Sequence, residues 1–185
     1  MKYMTSQWYM MCQEHPQSEK VDRAIREATD AYHQQYVKSF ASREPDFGKA
    51  RLHDSIVLSC MQEGSDLVMD LEPDLTDITR LVFKDCEVLN LDAFIGSKKP
   101  RIAVKRAAIL KESELLKNAW WLYDEIYPTE GGRYEIHILL DKGNFRLIEF
   151  TIRASDIELY RDESVWKKDY FSSTASRAAR PSSGS

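Results

Sequence analysis

The chain has 185 residues, of which 43% are hydrophobic and 30% charged, a balance that suits a globular domain with its own core and excludes a disordered or fibrous polymer. Its formal charge of −4, from 26 basic and 30 acidic residues, gives no general attraction to nucleic acid or anionic lipid, so neither is an expected partner. No apolar run reaches the roughly 18 residues of a membrane helix, and the opening "MKYMTSQWYMMCQEHPQ" has neither the apolar stretch nor the cleavage site of a signal peptide.

In chain order, Thr5 or Ser6 is placed to cap a short helix through about Gln13, which His15-Pro16 ends. Ser18 then caps "EKVDRAIREATDAYHQQYVKSFA", where Val21, Ile25, Ala28, Tyr32, Tyr36 or Val37, and Phe40 make one stripe at three- and four-residue spacing. After "SREPDFGK" the period drops to two. In "LHDSIVLSC" the residues Ile56, Leu58 and Cys60 alternate with Ser55, Val57 and Ser59, and after "QEGSD" the residues Leu67, Met69 and Leu71 supply the apolar side of a hairpin partner. A third strand runs through "ITRLVFKDCEVL" with a break expected near Asp85. The stretch from Ala93 to Leu116 mixes strand-like Ile102 and Val104 with the helix-forming composition of "AAILKESELL", so strand order is open there. The expected organisation is one α+β domain over 1–171, helical over 1–45, sheet over 52–153, with a short C-terminal segment over 154–171. The serine- and arginine-rich tail over 172–185 is expected to be disordered, since it has no large apolar residue to bury.

The stretch "NAWWLYDEIYPTEGGRYEIHILLDKGNFRLIEFTIR" reads as three strands joined by two glycine-containing turns. Matching apolar residues pairs Ile138 with Ile148, Ile136 with Phe150 and Tyr134 with Ile152 around a "KGN" loop, and Ile126 with Ile136 and Leu122 with Leu140 around "EGG". One face then holds Trp120, Leu122, Ile126, Ile136, Ile138, Leu140, Ile148, Phe150 and Ile152, the expected core face, with Asp124 as its exception. The other holds Trp121, Tyr123, Glu125, Tyr127, Glu135, His137, Leu139, Leu147, Glu149 and Thr151, with a central row Glu125–His137–Glu149.

That row admits an acid–base or metal site, because carboxylates flanking an imidazole orient it and favour its charged form. Cross-strand charge pairing is the stronger reading, since no third strong metal ligand stands at a recognisable spacing; no metal and no cofactor is expected. The aromatic residues Trp121, Tyr123 and Tyr127, with Glu125, Glu135, His137 and Glu149, are the candidate binding surface, unless the N-terminal helix covers that face. His53, Asp54 and Ser55 are expected to serve structurally at a strand start, bonding nearby backbone. Cys12, Cys60 and Cys86 have wide spacings and no CxxC, which fits buried, reduced thiols in a cytoplasmic protein. No Gly-rich phosphate loop, GxSxG or HExxH motif is present.

The stretches "MKYMT" with "WY", "LHDSIV", "DLVMDLE", "LTDITRLVF", "WWLYDEIY", "YEIHILL" and "LIEFTIR" together resemble an uncharacterised bacterial domain-of-unknown-function family of small α+β proteins. The "HDS" strand start also resembles one in some immunity proteins of polymorphic-toxin systems. The resemblance implies a cytoplasmic α+β protein with a protein partner and no catalytic site to carry over. The expected fold is therefore N-terminal helices followed by a mostly antiparallel, curved sheet of about six or seven strands. The expected function is non-enzymatic binding, in its most concrete form an immunity protein neutralising a toxin domain. The alternatives are an enzyme using His137, Glu125 and Glu149, and a structural or accessory domain.

Overall fold

The computed structural model describes residues 1–13, 18–42, 45–95, 102–103 and 113–162. Two helices come first. The Thr5 hydroxyl accepts from Trp8 N–H to cap α1 (Ser6–Cys12), and the Ser18 hydroxyl accepts from Val21 N–H to cap α2 (Glu19–Ser39). Each cap satisfies an N–H that the first helical turn leaves without a partner. A 3-10 turn at Asp46–Lys49 then leads into the sheet.

The strands are β1 (Ile56–Glu63), β2 (Asp66–Glu72), β3 (Ile78–Lys84), β4 (Glu87–Ile95), β5 (Ile102–Ala103), β6 (Ala119–Pro128), β7 (Tyr134–Asp141), β8 (Leu147–Ala154) and β9 (Asp156–Arg161), with a short helix α3 (Ser113–Leu116) before β6. They form one open antiparallel sheet in the order β5-β4-β8-β7-β6-β1-β2-β3-β9. The fold is α+β, as the pattern predicts. The strand number exceeds the predicted six or seven for local reasons. Asp85, at φ 45°, breaks "ITRLVFKDCEVL" into β3 and β4. Ile102–Ala103 adds a two-residue strand on β4, and the segment beyond Ala154 turns back to pair with β3 as β9. Val104 and the tail over 172–185 lie outside the described residues.

A single large core cluster takes side chains from strands far apart in that order, among them Leu91 and Ala93 of β4 and Leu81 and Phe83 of β3. Only a strongly curled sheet brings them together, and Phe47 of the 3-10 turn fills its interior edge-on to both Phe83 and Trp121, with ring centroids 6.2 and 6.4 Å away. A second cluster, Leu122, Leu139 and Leu147, lies with Met1, Tyr9 and Met10 packed on it. The chain's own N-terminal segment thus covers the opposite face of β6–β7–β8.

The three-strand register follows the predicted faces but not every predicted pair. Ile126 pairs with Ile136 as expected, whereas Ile136 meets Ile152 and Ile138 meets Phe150, two residues along from the predicted partners. A shift of two keeps every side chain on its face. It also lengthens the loop: Asp141 pairs with Leu147, so the turn spans 142–146 rather than "KGN", with Gly143 at φ 88°.

Two bulges invert local faces. Between Trp121 and Tyr123 the β6–β7 register shifts, leaving Leu122 as the extra residue, so Trp121 pairs with Leu140 and enters the main core while Trp120 is 47% exposed. The prediction that Trp121 lies on the outer face and Trp120 in the core is reversed there. A second shift between Val57 and Ser59 makes Leu58 exposed while Val57 and Cys60 are buried. Val57, not Ile56 or Leu58, is the main contribution of that strand start to the core.

Candidate functional site

Two arrangements stand out, and the chemistry of each follows from its neighbours. The first surrounds Glu125. Its carboxylate is fully buried and accepts from the backbone N–H of Lys2 (2.8 Å), Tyr3 (2.8 Å) and Met4 (2.5 Å) and from the Tyr127 hydroxyl (2.7 Å). Glu149 accepts from Ser6 N–H at 2.9 Å, at the start of α1. These acids are anchors for the N-terminal segment. A buried carboxylate needs several donors to offset the water it loses, and an extended N-terminus offers backbone N–H groups that no helix or strand consumes.

His137 lies opposite Glu125 as predicted, but its other neighbour across the sheet is Thr151, and Glu149 stands opposite Leu139. The predicted row Glu125–His137–Glu149 is corrected to Glu125–His137–Thr151 by the two-residue register shift. His137 is 8% exposed and lies outside the aliphatic core cluster, near enough to the N-terminal ammonium to be acted on by its charge. Nε2 sits 2.9 Å from Glu135 Oε1, Nδ1 sits 3.5 Å from the Thr151 hydroxyl, and Tyr127 stands edge-on at 5.4 Å. Burial, with the N-terminal ammonium adding to it, lowers the His137 pKa against the opposing pull of Glu135. Nε2–H donates to Glu135, since a carboxylate oxygen can only accept. Burial pushes the Glu135 carboxyl up, but its bonds to His137 and Arg153 outweigh that and leave it below the usual range. Burial and the bond to Glu125 push the Tyr127 phenol upward, and Lys2 places its ammonium 3.9 Å above that ring.

The remaining predicted residues are structural in position. Tyr123 is packed edge-on by Trp8 at 4.9 Å and by His53 at 5.2 Å. His53 Nδ1 lies 2.9 Å from Asp54 Oδ2, and Asp54, at φ 66°, donates its N–H to Trp121 O at 2.8 Å while Ser55 O accepts from Trp121 N–H at 2.7 Å. The Asp54 and Ser55 backbone thus bonds the start of β1 to β6, while His53 stands against the Tyr123 ring of β6. Burial pushes the Cys60 and Cys86 thiols up to about 12, which keeps them protonated and poor nucleophiles. Among the described residues, no three His, Cys, Asp or Glu side chains gather to hold a metal ion.

The second arrangement is a cavity that sequence reasoning missed. β1 pairs with β6 only at Ile56–Trp120 and Val57–Ala119, after which the two strands part. α2 occupies the gap, and the Tyr32 hydroxyl accepts the Ile126 N–H at 3.0 Å in place of a neighbouring strand. Beneath the helix lies a cavity of about 720 Å³ lined by Met4, Tyr32, Tyr36, Phe40, Gly48 and Asp124, with Thr29, His33 and Val37 also on its walls. Gly48 has no room for a side chain, since a Cβ there would lie 1.7 Å from the Tyr36 hydroxyl. Asp124 faces this space with Oδ1 accepting from Trp121 Nε1–H at 3.0 Å. Burial pushes its carboxyl up to about 6 despite that bond. The signal available in the sequence was Asp124 itself, the one acid on an apolar face.

The comparisons with known proteins supply a family and no activity. No curated protein and no solved structure matches the chain. No helix among the described residues is long and apolar enough to cross a membrane. The family model described as a protein of unknown function, DUF4085, matches residues 1–154, from the N-terminal clasp through the last residue of β8. The chain belongs to the DUF4085 family.

Proposed function

We propose that the protein is a non-catalytic binding module that holds a small ligand between α2 and the free edge of β6. One observation carries this reading: α2 runs for 21 residues with a complete apolar stripe, yet none of its residues is fully buried, and a cavity of about 720 Å³ lies under that stripe. An amphipathic helix is held by the face it buries, so contact missing on that face is contact left for a guest. The volume falls within the roughly 300–1,000 Å³ of small-molecule sites, and its apolar walls with few polar groups match their make-up.

Acid–base or metal chemistry at His137 draws no support from the geometry. The Glu125 oxygens are taken by the backbone of Lys2, Tyr3 and Met4 and by Tyr127, and Glu149 is turned to Ser6. The candidate binding surface of Tyr123, Glu125 and Tyr127 is occupied by the chain's own N-terminal segment, so a partner would have to displace it. A protein partner, including the toxin domain that the resemblance implied, finds better support on the outer face of β1–β2–β3–β9, where Leu58, Met61 and Tyr160 are exposed beside the Asp70–Arg80 pair. A cytoplasmic setting belongs to the same proposal, supported by the absence of any disulfide among the three cysteines.

The test is a thermal-unfolding and ligand-observed NMR screen of small aromatic and aliphatic compounds. Binders should raise the midpoint by mass action, and Thr29→Trp, which fills the cavity from its rim, should abolish them. Compounds that bind wild type and Thr29→Trp alike would overturn the cavity as the site. Capture of a protein partner that is lost in Leu58→Asp/Tyr160→Asp, with small-molecule binding absent, would favour the second surface instead.

A further inference from the structure

We propose that the guest of this cavity is an organic cation, an amine or ammonium on a flat apolar body, held between the aromatic rings of α2 and the carboxylate of Asp124. This rests on the cavity reading above and names its ligand class.

The helix side of the cavity is a wall of rings. Tyr32, Tyr36 and Phe40 recur at four-residue spacing, so all three project from one face. Their centroids are 6.0 Å apart between Tyr32 and Tyr36 and 5.0 Å apart between Tyr36 and Phe40, which leaves no break between ring faces and edges. Such a surface suits a flat apolar body and attracts positive charge through the ring quadrupole. Gly48 keeps this wall in place, because any side chain there would drive the Tyr36 ring aside.

The sheet side supplies the charge. Asp124 Oδ1 is committed to Trp121, but among the described residues no donor reaches Oδ2. The described lining contains no Lys or Arg to neutralise the carboxylate. Half-buried and with no Lys or Arg in the described lining, the carboxylate still needs a partner for its charge, and burial is the first cause of its upward-shifted pKa. A bound cation meets that need; an anion is repelled by Asp124, and a neutral guest leaves it unmet. The nearby Glu125 does not compete, since its carboxylate lies on the opposite face of β6 under the N-terminal segment.

The experiment uses the full chain, near neutral pH, with four probes of similar shape: phenethylamine, benzyltrimethylammonium, 2-phenylethanol and 3-phenylpropionate, followed by calorimetric titration. The two cations should bind about tenfold or more tightly than the alcohol, in line with a desolvated charge pair backed by aromatic faces, and the carboxylate should bind least. Asp124→Asn, which keeps the acceptor for Trp121, should bring cations and alcohol to about the same affinity. The alcohol binding as tightly as the cations, or a cation preference that survives Asp124→Asn, would overturn the ligand class while leaving the cavity as a site. Failure of all four probes to show binding that Thr29→Trp removes would overturn both.

Discussion

Glu125 concentrates more structural consequence than any other polar residue, because three successive backbone N–H groups converge on one buried carboxylate. Glu125→Gln leaves one oxygen where there were two and places an amide donor against N–H groups, so a loss of roughly 1–3 kcal/mol in unfolding free energy is expected; Glu125→Ala, which orphans all three, should cost about 3–5 kcal/mol. Denaturant unfolding checks both, and a Gln variant as stable as wild type would mean that the N-terminal clasp contributes nothing. Asp124 makes the opposite case. Its folded pKa is raised from the ordinary 3.8 to about 6 by burial, so the folded state binds more protons than the unfolded state between those values, and stability falls as pH rises through that window. The groups facing it are Tyr32, His33 and Tyr36 from α2 and Trp121 from its own strand, with Glu125 acting on it from the opposite face of β6. Asp124→Asn should therefore be more stable than wild type by up to about 3 kcal/mol above pH 6, at roughly 1.4 kcal/mol per pKa unit, and gain nothing near pH 3.5. Unfolding midpoints measured at both ends of the range decide it: an advantage independent of pH would assign the effect to packing rather than to charge.

At the scale of elements, the interplay of α2 and the 3-10 turn is the point most open to measurement. Gly48→Ala would bring a methyl group to 1.7 Å from the Tyr36 hydroxyl and 2.7 Å from its Cζ, so Tyr36 must swing away from Tyr32 and Phe40 at an expected cost of roughly 1–3 kcal/mol. Tyr36→Phe in the same chain removes the nearest atom and should recover part of that loss, a coupling that a double-mutant cycle reads directly; strict additivity would show that the clash is not with Tyr36. Elements were also where the sequence was most legible. Both helix caps, the hairpin of β1 and β2, the break at Asp85 and the three strands around His137 follow from period and turn residues alone. The errors have one physical source. In "AWWLYDE" and "SIVLSC" large apolar residues are adjacent, so alternation carries no phase there, and a bulge at Leu122 or Leu58 inverts two neighbours without leaving a mark in the pattern. The register slip by two in β7–β8 was invisible for a related reason: Ile136, Ile138, Leu140, Ile148, Phe150 and Ile152 bury equally well in either offset, and the loop length chooses between them. The clasp was illegible because backbone donors have no side-chain signature, so Glu125 and Glu149 looked like partners for the one visible base, His137.

Across the whole molecule, burial is unevenly shared, and local stability must follow it. β7 lies between β6 and β8 and is covered on both faces, by the main core on one side and by the N-terminal segment on the other, with Ile136 through Leu140 all buried. α2 is the reverse: a long helix attached by the half-buried rings of Tyr32, Tyr36 and Phe40, by the bond from Ile126 N–H to Tyr32, and by Trp8 Nε1–H donating to Ile25 O at 3.4 Å. Opening α2 exposes little apolar surface, whereas opening β7 dismantles two clusters at once. Native-state hydrogen exchange should therefore place the amides of β6, β7 and β8 close to the global unfolding free energy and those of α2 several kcal/mol below it, with exchange by local opening. The clasp ties the second face to the first, so Glu125→Ala should lower protection in α1 and along the Leu122, Leu139 and Leu147 face before it reaches the main core. A guest in the cavity should act elsewhere, raising protection in α2 selectively, because it supplies the contact that the helix lacks. Uniform protection across α2 and β7 in the unliganded chain would contradict the premise that the helix is only loosely packed over the cavity, and with it the reading of that cavity as the place where this protein binds.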